Sequence, residues 1–209
     1  MSNYAELYDA ILNGNAKRAE EVTKAALAEK ADPTELVRKY MIPAMDEVGK
    51  RFECNEYFVP ELLIAARAMK TSLELITPLL ADAGAEPVGR VVIGTVQGDL
   101  HDIGKNLVAS MLEGGGFQVV DLGVDVPPER FVEAAKEKDG TIVALSSLLT
   151  TTMTMMKHVI EALEKAGLRS KTKVMIGGAP ITQQYADEIG ADGFSDNASA
   201  AVALARKLA

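Results

Sequence analysis

The chain has 209 residues, enough for one elaborated domain or two small ones, and its 48% apolar and 25% charged composition excludes a disordered or fibrous protein. Lys and Arg number 22 against 30 Asp and Glu, a net charge of −8 that argues against nucleic acid or an anionic membrane as partner. The single cysteine, Cys54, rules out an intrachain disulfide or a multi-cysteine metal centre; with no signal-like N-terminus and no run of about 18 apolar residues, a cytoplasmic protein is expected.

In chain order, the first 80 or so residues read as helix. Tyr4 to Leu12 carries apolar residues at 4, 7, 8, 11 and 12, and Asn13-Gly14-Asn15 stops it with turn chemistry. A second helix spans about Ala16 to Lys30. Asp32-Pro33 supplies an N-cap and first-turn proline for a third, whose stripe runs through Leu36, Val37, Tyr40, Met41, Met45 and Val48, with a kink or split expected at Pro43. The fourth starts near Pro60, carries Leu62, Leu63, Ala66, Met69, Leu73 and Ile76, and is expected to end before Pro78. These make a four-helix bundle over residues 1–84. The small residues and proline of Ala83 to Gly89 form the expected linker.

From residue 90 to 209, β-rich runs alternate with helical ones. Strands are expected at Arg90–Val96, Phe117–Leu122, Thr141–Leu145, Lys173–Ile176 and Gly193–Ser195. Helices are expected at Gly104–Glu113, Pro128–Lys138, Thr152–Ala166, Thr182–Ile189 and Ala198–Leu208. Such alternation predicts a five-stranded parallel sheet with helices on both faces, because parallel strands need crossovers and both faces must be covered. Ligands of these sheets sit beyond the carboxyl ends of the strands, so the loops after Val96, Leu122, Leu145 and Ile176 are where chemistry is expected.

The first of those loops reads Gln97-Gly98-Asp99-Leu100-His101-Asp102-Ile103-Gly104-Lys105-Asn106 and holds one of two histidines. Asp99 and His101 are two apart, so the carboxylate can accept a hydrogen bond from the imidazole, as the orienting partner of a metal-bound histidine does. A loop histidine paired with a neighbouring aspartate for structural reasons has the same pattern. His158 falls on a distant helix, within the Met153-Met155-Met156 stretch, and one protein nitrogen cannot hold a bare zinc ion. A metal arriving inside its own macrocycle is compatible with a single histidine.

The spacing along the chain is distinctive. Asp-x-His-x-x-Gly at 99 to 104 is followed by residues 105 to 145 and then Ser146-Ser147-Leu148; residues 149 to 176 separate that from Gly177-Gly178. This resembles the cobalamin-binding signature of methionine synthase and the corrinoid methyl-carrier proteins. Val48-Gly49, Phe52, Phe58-Val59-Pro60-Glu61 and Ala68-Met69-Lys70 are similar to the helical cap that precedes the cobalamin module there, so the resemblance covers nearly the whole chain. It implies an α plus α/β protein: a helical cap, then a flavodoxin-like or Rossmann-like cobalamin module.

The resemblance also implies roles. Cobalamin, as methylcobalamin or a related corrinoid, would bind with its own base off the cobalt and His101 as lower axial ligand. Gly98, Asp99, Leu100, His101, Asp102, Ile103 and Gly104 would line the cofactor, with Ser146 at the tail's base and Leu148 as a wall of its slot. Small residues, Gly94, Gly98, Gly104, Gly177, Gly178 and Ala179, would keep that slot narrow, although Gly94 taken singly reads as ordinary strand-to-helix turn chemistry. Thr150 and Thr152 lie in a hydroxyl-rich loop that also reads as a helix N-cap. Thr152 stands where methionine synthase has a serine extending the Asp-His pair, so His101, Asp99 and Thr152 would tune methyl transfer. Phe58 is the cap residue expected to face the cofactor. Cobalt takes six ligands with its methyl and four without it, so His101 must bind and release, with a proton shared with Asp99 as lever.

At 209 residues the chain has no room for the barrels that bind methyl donors or folate, so a free-standing corrinoid carrier is expected. Its implied partners are a donor-specific methyltransferase, a methyltransferase serving tetrahydrofolate or coenzyme M, and a reductive activator. The alternatives are a cobalamin-dependent sensor or regulator, which typically carries a bundle tryptophan absent here, a mutase small subunit, and a flavodoxin-like module without cobalamin. Cys54 reads as an inert structural thiol.

Overall fold

The computed structural model describes residues 4–82, 86–138 and 141–209. The chain forms two compact units, Met1–Pro87 with Glu113–Gly116, and Val88–Leu112 with Phe117–Ala209. Residues 83–85 of the expected linker lie outside the described residues.

The first unit contains α1 (Ala5–Leu12), α2 (Ala16–Ala28), α3 (Pro33–Leu36), a π-helical turn Val37–Met41, α4 (Ile42–Glu53) and α5 (Val59–Asp82). The starts are set by local chemistry: Asn15 Oδ1 accepts the Arg18 N–H at 3.0 Å, and Asp32 Oδ1 accepts the Thr34 N–H at 2.9 Å. The core is the stripe read from spacing, with Leu7, Ile11, Leu36, Met41, Met45, Leu62, Met69 and Ile76 buried. Thr23 and Ser72, buried between α2 and α5, satisfy each other at 3.0 Å.

Two prolines behave differently. Before Pro43 the helix widens into the π turn, which accommodates a ring that would otherwise clash with the carbonyl four residues back. Pro78, by contrast, does not end its helix: α5 runs on to Asp82, correcting the expected stop. Pro78 is exposed and lies near the helix end, so few turns depend on the missing N–H. Cys54, read as a structural thiol, caps α4 at an exposed position.

The second unit is a five-stranded parallel sheet of β1 (Arg90–Thr95), β2 (Gln118–Asp121), β3 (Ile142–Ser146), β4 (Lys173–Gly177) and β5 (Gly193–Phe194), in the order β2-β1-β3-β4-β5. β1 is buried throughout and β3 nearly so, which is why they read as unbroken apolar runs. Edge strand β2 is partly exposed.

Strand order reverses at β1. Right-handed crossovers therefore send α6 (Ile103–Gly114) to one face, and α7 (Pro128–Lys136), α8 (Thr154–Lys165) and α9 (Gln183–Ile189) to the other. Phe131, Met156, Val159, Leu163 and Ile189 of that second group close one core over Val92, Val143 and Val174. Following β5, α10 (Ala198–Leu208) packs Leu204 at Gly193. Thr95, Ser146 and Gly177 are in register across β1, β3 and β4, so three loops leave the sheet side by side at the switch point.

Candidate functional site

Asp99 is the centre of the three loops. It follows β1 in a turn closed by its N–H on the Val96 carbonyl at 3.1 Å, and its side chain is 0% exposed. Oδ1 accepts the His101 backbone N–H at 3.1 Å and lies 2.7 Å from His101 Nδ1. Oδ2 accepts the N–H groups of Leu148 at 2.8 Å and Leu149 at 3.3 Å and the Thr152 hydroxyl at 2.8 Å; Ser147 Oγ stands at 3.2 Å.

Burial alone would raise the Asp99 carboxyl. The hydrogen bonds from the His101 ring and backbone, from Leu148 and from Thr152 outweigh it and hold the group well below the usual carboxylate range. Because this anion only accepts, the proton between the pair sits on His101 Nδ1. The expected sharing of that proton is thereby corrected: the carboxylate is already saturated by donors. Nε2 is left as the outward nitrogen of a side chain that is 51% exposed.

The His101 loop is held from a second direction. The Thr95 hydroxyl donates to the His101 carbonyl at 2.8 Å. Asp125, at φ 52°, accepts the Gly98 N–H at 2.7 Å and donates its own N–H to the Asp99 carbonyl at 3.0 Å. Lys105, buried on α6, pairs with Asp121 at the end of β2. These groups fix the backbone that presents the imidazole.

The other residues read from the motif separate into groups. Gly98 has φ 83°, which favours glycine. Leu100, Asp102, Ile103 and Gly104 are exposed; Ile103 is 82% exposed, and a Cβ on Gly104 would meet nothing within 4 Å. Ser146 ends β3 half-buried, whereas Leu148 and Thr150 are exposed. A Cβ on Gly178, at φ 137°, would lie 1.9 Å from the Ser147 carbonyl oxygen, and one on Gly177 3.2 Å from that of Ser195. Gly178 thus makes room for the Ser147 loop and Gly177 for Ser195.

Gly94 belongs elsewhere: it lies within β1, where a Cβ would meet the Phe131 ring at 2.8 Å, so its smallness serves the core. Thr152 does not cap α8, because its hydroxyl is engaged with Asp99. Phe58 is 61% exposed on the helical unit. His158 is exposed on α8 with Nδ1 3.3 Å from Met155 Sδ.

Spacing alone missed Ser147, Leu149, Thr95 and Asp125. A two-residue period assigns Ser146 and Leu148 to one side of the chain and leaves Ser147 opposite; it is this opposite side that meets Asp99. Thr95 was marked only by its place at a strand end, and Asp125 by nothing local.

Residues 89–204 match a B12 binding domain family, and residues 4–77 match a second B12 binding domain family. The chain belongs to the B12-binding corrinoid proteins. Trimethylamine corrinoid protein 1 of Methanosarcina acetivorans is 47% identical over 97% of this chain and 94% of its own length. The crystal structure of a cobalamin-binding protein from Desulfitobacterium hafniense superposes with a TM-score of 0.81 at 33% identity, covering 100% of both chains. The methanol:cobalamin methyltransferase complex MtaBC from Methanosarcina barkeri gives 0.83 at 30% identity over 95% of this chain and 76% of that one.

The donor set fits the group this family implies. Among the described residues, no cluster of three or more His, Cys, Asp or Glu could hold a bare ion; a metal that brings its own macrocycle would need only one protein donor, and His101 Nε2 is free to be it. The segments meeting at Asp99 expose the apolar side chains Leu100, Ile103, Val124, Leu148 and Leu149, an apolar surface of the kind a flat apolar ligand can lie on.

Proposed function

We propose that this corrinoid protein carries a methyl group on cobalamin from a methylated-amine methyltransferase to a second methyltransferase serving tetrahydrofolate or coenzyme M. A reductive activator completes the system. The observation that carries the reading is an imidazole clamped through Nδ1 to a buried anion, its other nitrogen turned out among exposed leucines and an isoleucine. Similarity to a trimethylamine corrinoid protein supports an amine donor.

When bound, cobalamin supplies a cobalt centre able to accept and give up a methyl group. His101 would hold the cobalt through Nε2, and Asp99 would fix its tautomer and raise its basicity. Thr152 orients Asp99. Gly98, Leu100, Asp102, Ile103 and Gly104 lie along the cofactor; Ser146, Leu148, Thr150, Gly177 and Gly178 line the slot for its tail. Residues 90–209 would bind the cofactor and residues 1–84 would serve as its cap, with Phe58 as the cap residue expected to face it. Among the described residues no helix is long and apolar enough to cross a membrane, which supports a cytoplasmic place for the carrier.

The test is the absorbance spectrum of the protein reconstituted with hydroxocobalamin and with methylcobalamin, beside His101→Ala. Tight binding with a His101-dependent base-off, His-on spectrum is expected, followed by methylation of the bound cofactor by trimethylamine and its cognate methyltransferase. An unchanged His-on spectrum in the variant sinks the ligand assignment. Methylation from methanol but not from amines would sink the donor.

A further inference from the structure

Two buried hydroxyls, not one, reach the same oxygen of Asp99. Ser147 Oγ is 3.2 Å and Thr152 Oγ1 2.8 Å from Oδ2, and the two hydroxyl oxygens are 2.8 Å apart. Both also lie within reach of the Leu149 carbonyl, at 3.2 Å and 3.0 Å. Ser147 is 1% and Thr152 9% exposed, so water does not compete freely for either.

Each hydroxyl has one proton to give. The Leu148 N–H, at 2.8 Å, already takes one lone-pair direction of Oδ2, with the Leu149 N–H at a longer 3.3 Å beside it. One hydroxyl fills the next, and the other is left to donate to the Leu149 carbonyl or to its neighbour. Two proton arrangements satisfy every group: Thr152 on Asp99 with Ser147 behind it, or Ser147 on Asp99 with Thr152 behind it. Small rotations about the two Cβ–Oγ bonds interconvert them.

We propose that Ser147 is a second positioning residue for the Asp99–His101 pair, interchangeable with Thr152, so that either hydroxyl alone keeps Asp99 aimed at His101 Nδ1. Its bearing on methyl transfer rests on the reading of His101 as axial ligand; its geometry does not. The arrangement is redundant: a carboxylate on which His101 depends retains a hydroxyl donor when either partner turns away.

The full-length protein without cofactor gives the primary test, through ring-nitrogen NMR of His101 under conditions where both histidines are neutral, with His158 as internal reference. The Nδ1–H tautomer is expected to dominate in wild type, Ser147→Ala and Thr152→Val, each within about twofold of the others. The double variant loses it by about tenfold, the lower end for a hydrogen bond to a charged group. Ser147→Ala/Thr152→Ser restores it. A second readout needs only one substitution: in Thr152→Val the Ser147 hydroxyl proton moves downfield as it becomes the sole hydroxyl donor to the carboxylate.

In the protein loaded with hydroxocobalamin, the His-on fraction follows the same order. The proposal is overturned if Thr152→Val alone has the full effect, if the double variant matches wild type, or if the Ser147 proton does not move. Failure to bind hydroxocobalamin would sink the functional reading while leaving the NMR result to judge the hydroxyl pair.

Discussion

The two ends of β1 each bury a charge, and they use it in opposite ways. At the N-terminal end Arg90, 6% exposed, donates to the Ala134 carbonyl at 2.8 Å, lies 3.4 Å from the Thr141 hydroxyl and pairs with Glu137. These bonds tie the end of α7 to β1 and to the start of β3 and finish there. At the C-terminal end Asp99 gathers three loops just as tightly, but its chain of hydrogen bonds ends at an imidazole that is half-exposed. The first network ends on a carboxylate that is 68% exposed and open to water; the second ends on a ring nitrogen among exposed apolar side chains. An end open to water marks a structural charge, and an end beside an apolar surface marks a binding site.

Substitutions can break that contrast. The largest effect is expected from Gly178→Ala, because its Cβ would overlap the Ser147 carbonyl; a loss of about 3 kcal/mol by denaturant unfolding, together with loss of corrinoid binding, is predicted. Arg90→Met should cost about 2–3 kcal/mol by leaving the Ala134 carbonyl unpaired, yet leave the hydroxocobalamin spectrum unchanged. A changed spectrum would mean that the two ends are not independent. His101→Ala is the mirror image: the His-on signature disappears while the melting temperature of the cofactor-free protein moves by no more than about 2 °C, as for an exposed side chain.

Acid sharpens the contrast further. The Asp99 carboxyl is held below its unfolded value, so its contribution is fully present above about pH 4 and is lost as pH falls toward the lowered native value. The stability difference between wild type and Asp99→Asn, from urea melts, should be flat from about pH 5 upward and shrink below about pH 4. A difference that grows on acidification would contradict an anionic Asp99. The smallest effect is Gly104→Ala. With nothing near its Cβ and a helical position, the cofactor-free protein should be unchanged or up to about 1 kcal/mol more stable. Weaker hydroxocobalamin binding in the same variant would show that the glycine leaves room for a ligand.

Much of this was legible along the chain. The strands and helices of the second unit followed from apolar runs and turn residues, because each parallel strand is buried on both faces and each helix on one. The pairing of Asp99 with His101 was legible because two residues are a local distance: the carboxylate reaches back to its own loop whatever the rest of the protein does. Pro78 misled, since an exposed proline near a helix end costs little there.

By itself the sequence determined the two kinds of structure, the loop that bears His101, and the family signature, all of which depend on residues close together or on repeating periods. Beyond His101 and the Thr152 to which the resemblance pointed, only the tertiary structure decided what Asp99 is joined to. Ser147, Leu148, Leu149 and Thr152 lie 48 to 53 residues away from it, and they meet it because β1 and β3 are neighbours at the point where the sheet reverses. Strand order is set by how helices cover both faces and by the hand of the crossovers, which no local pattern carries. That pairing turns an Asp-x-His tripeptide motif into a fixed anion holding one nitrogen inward and the other out.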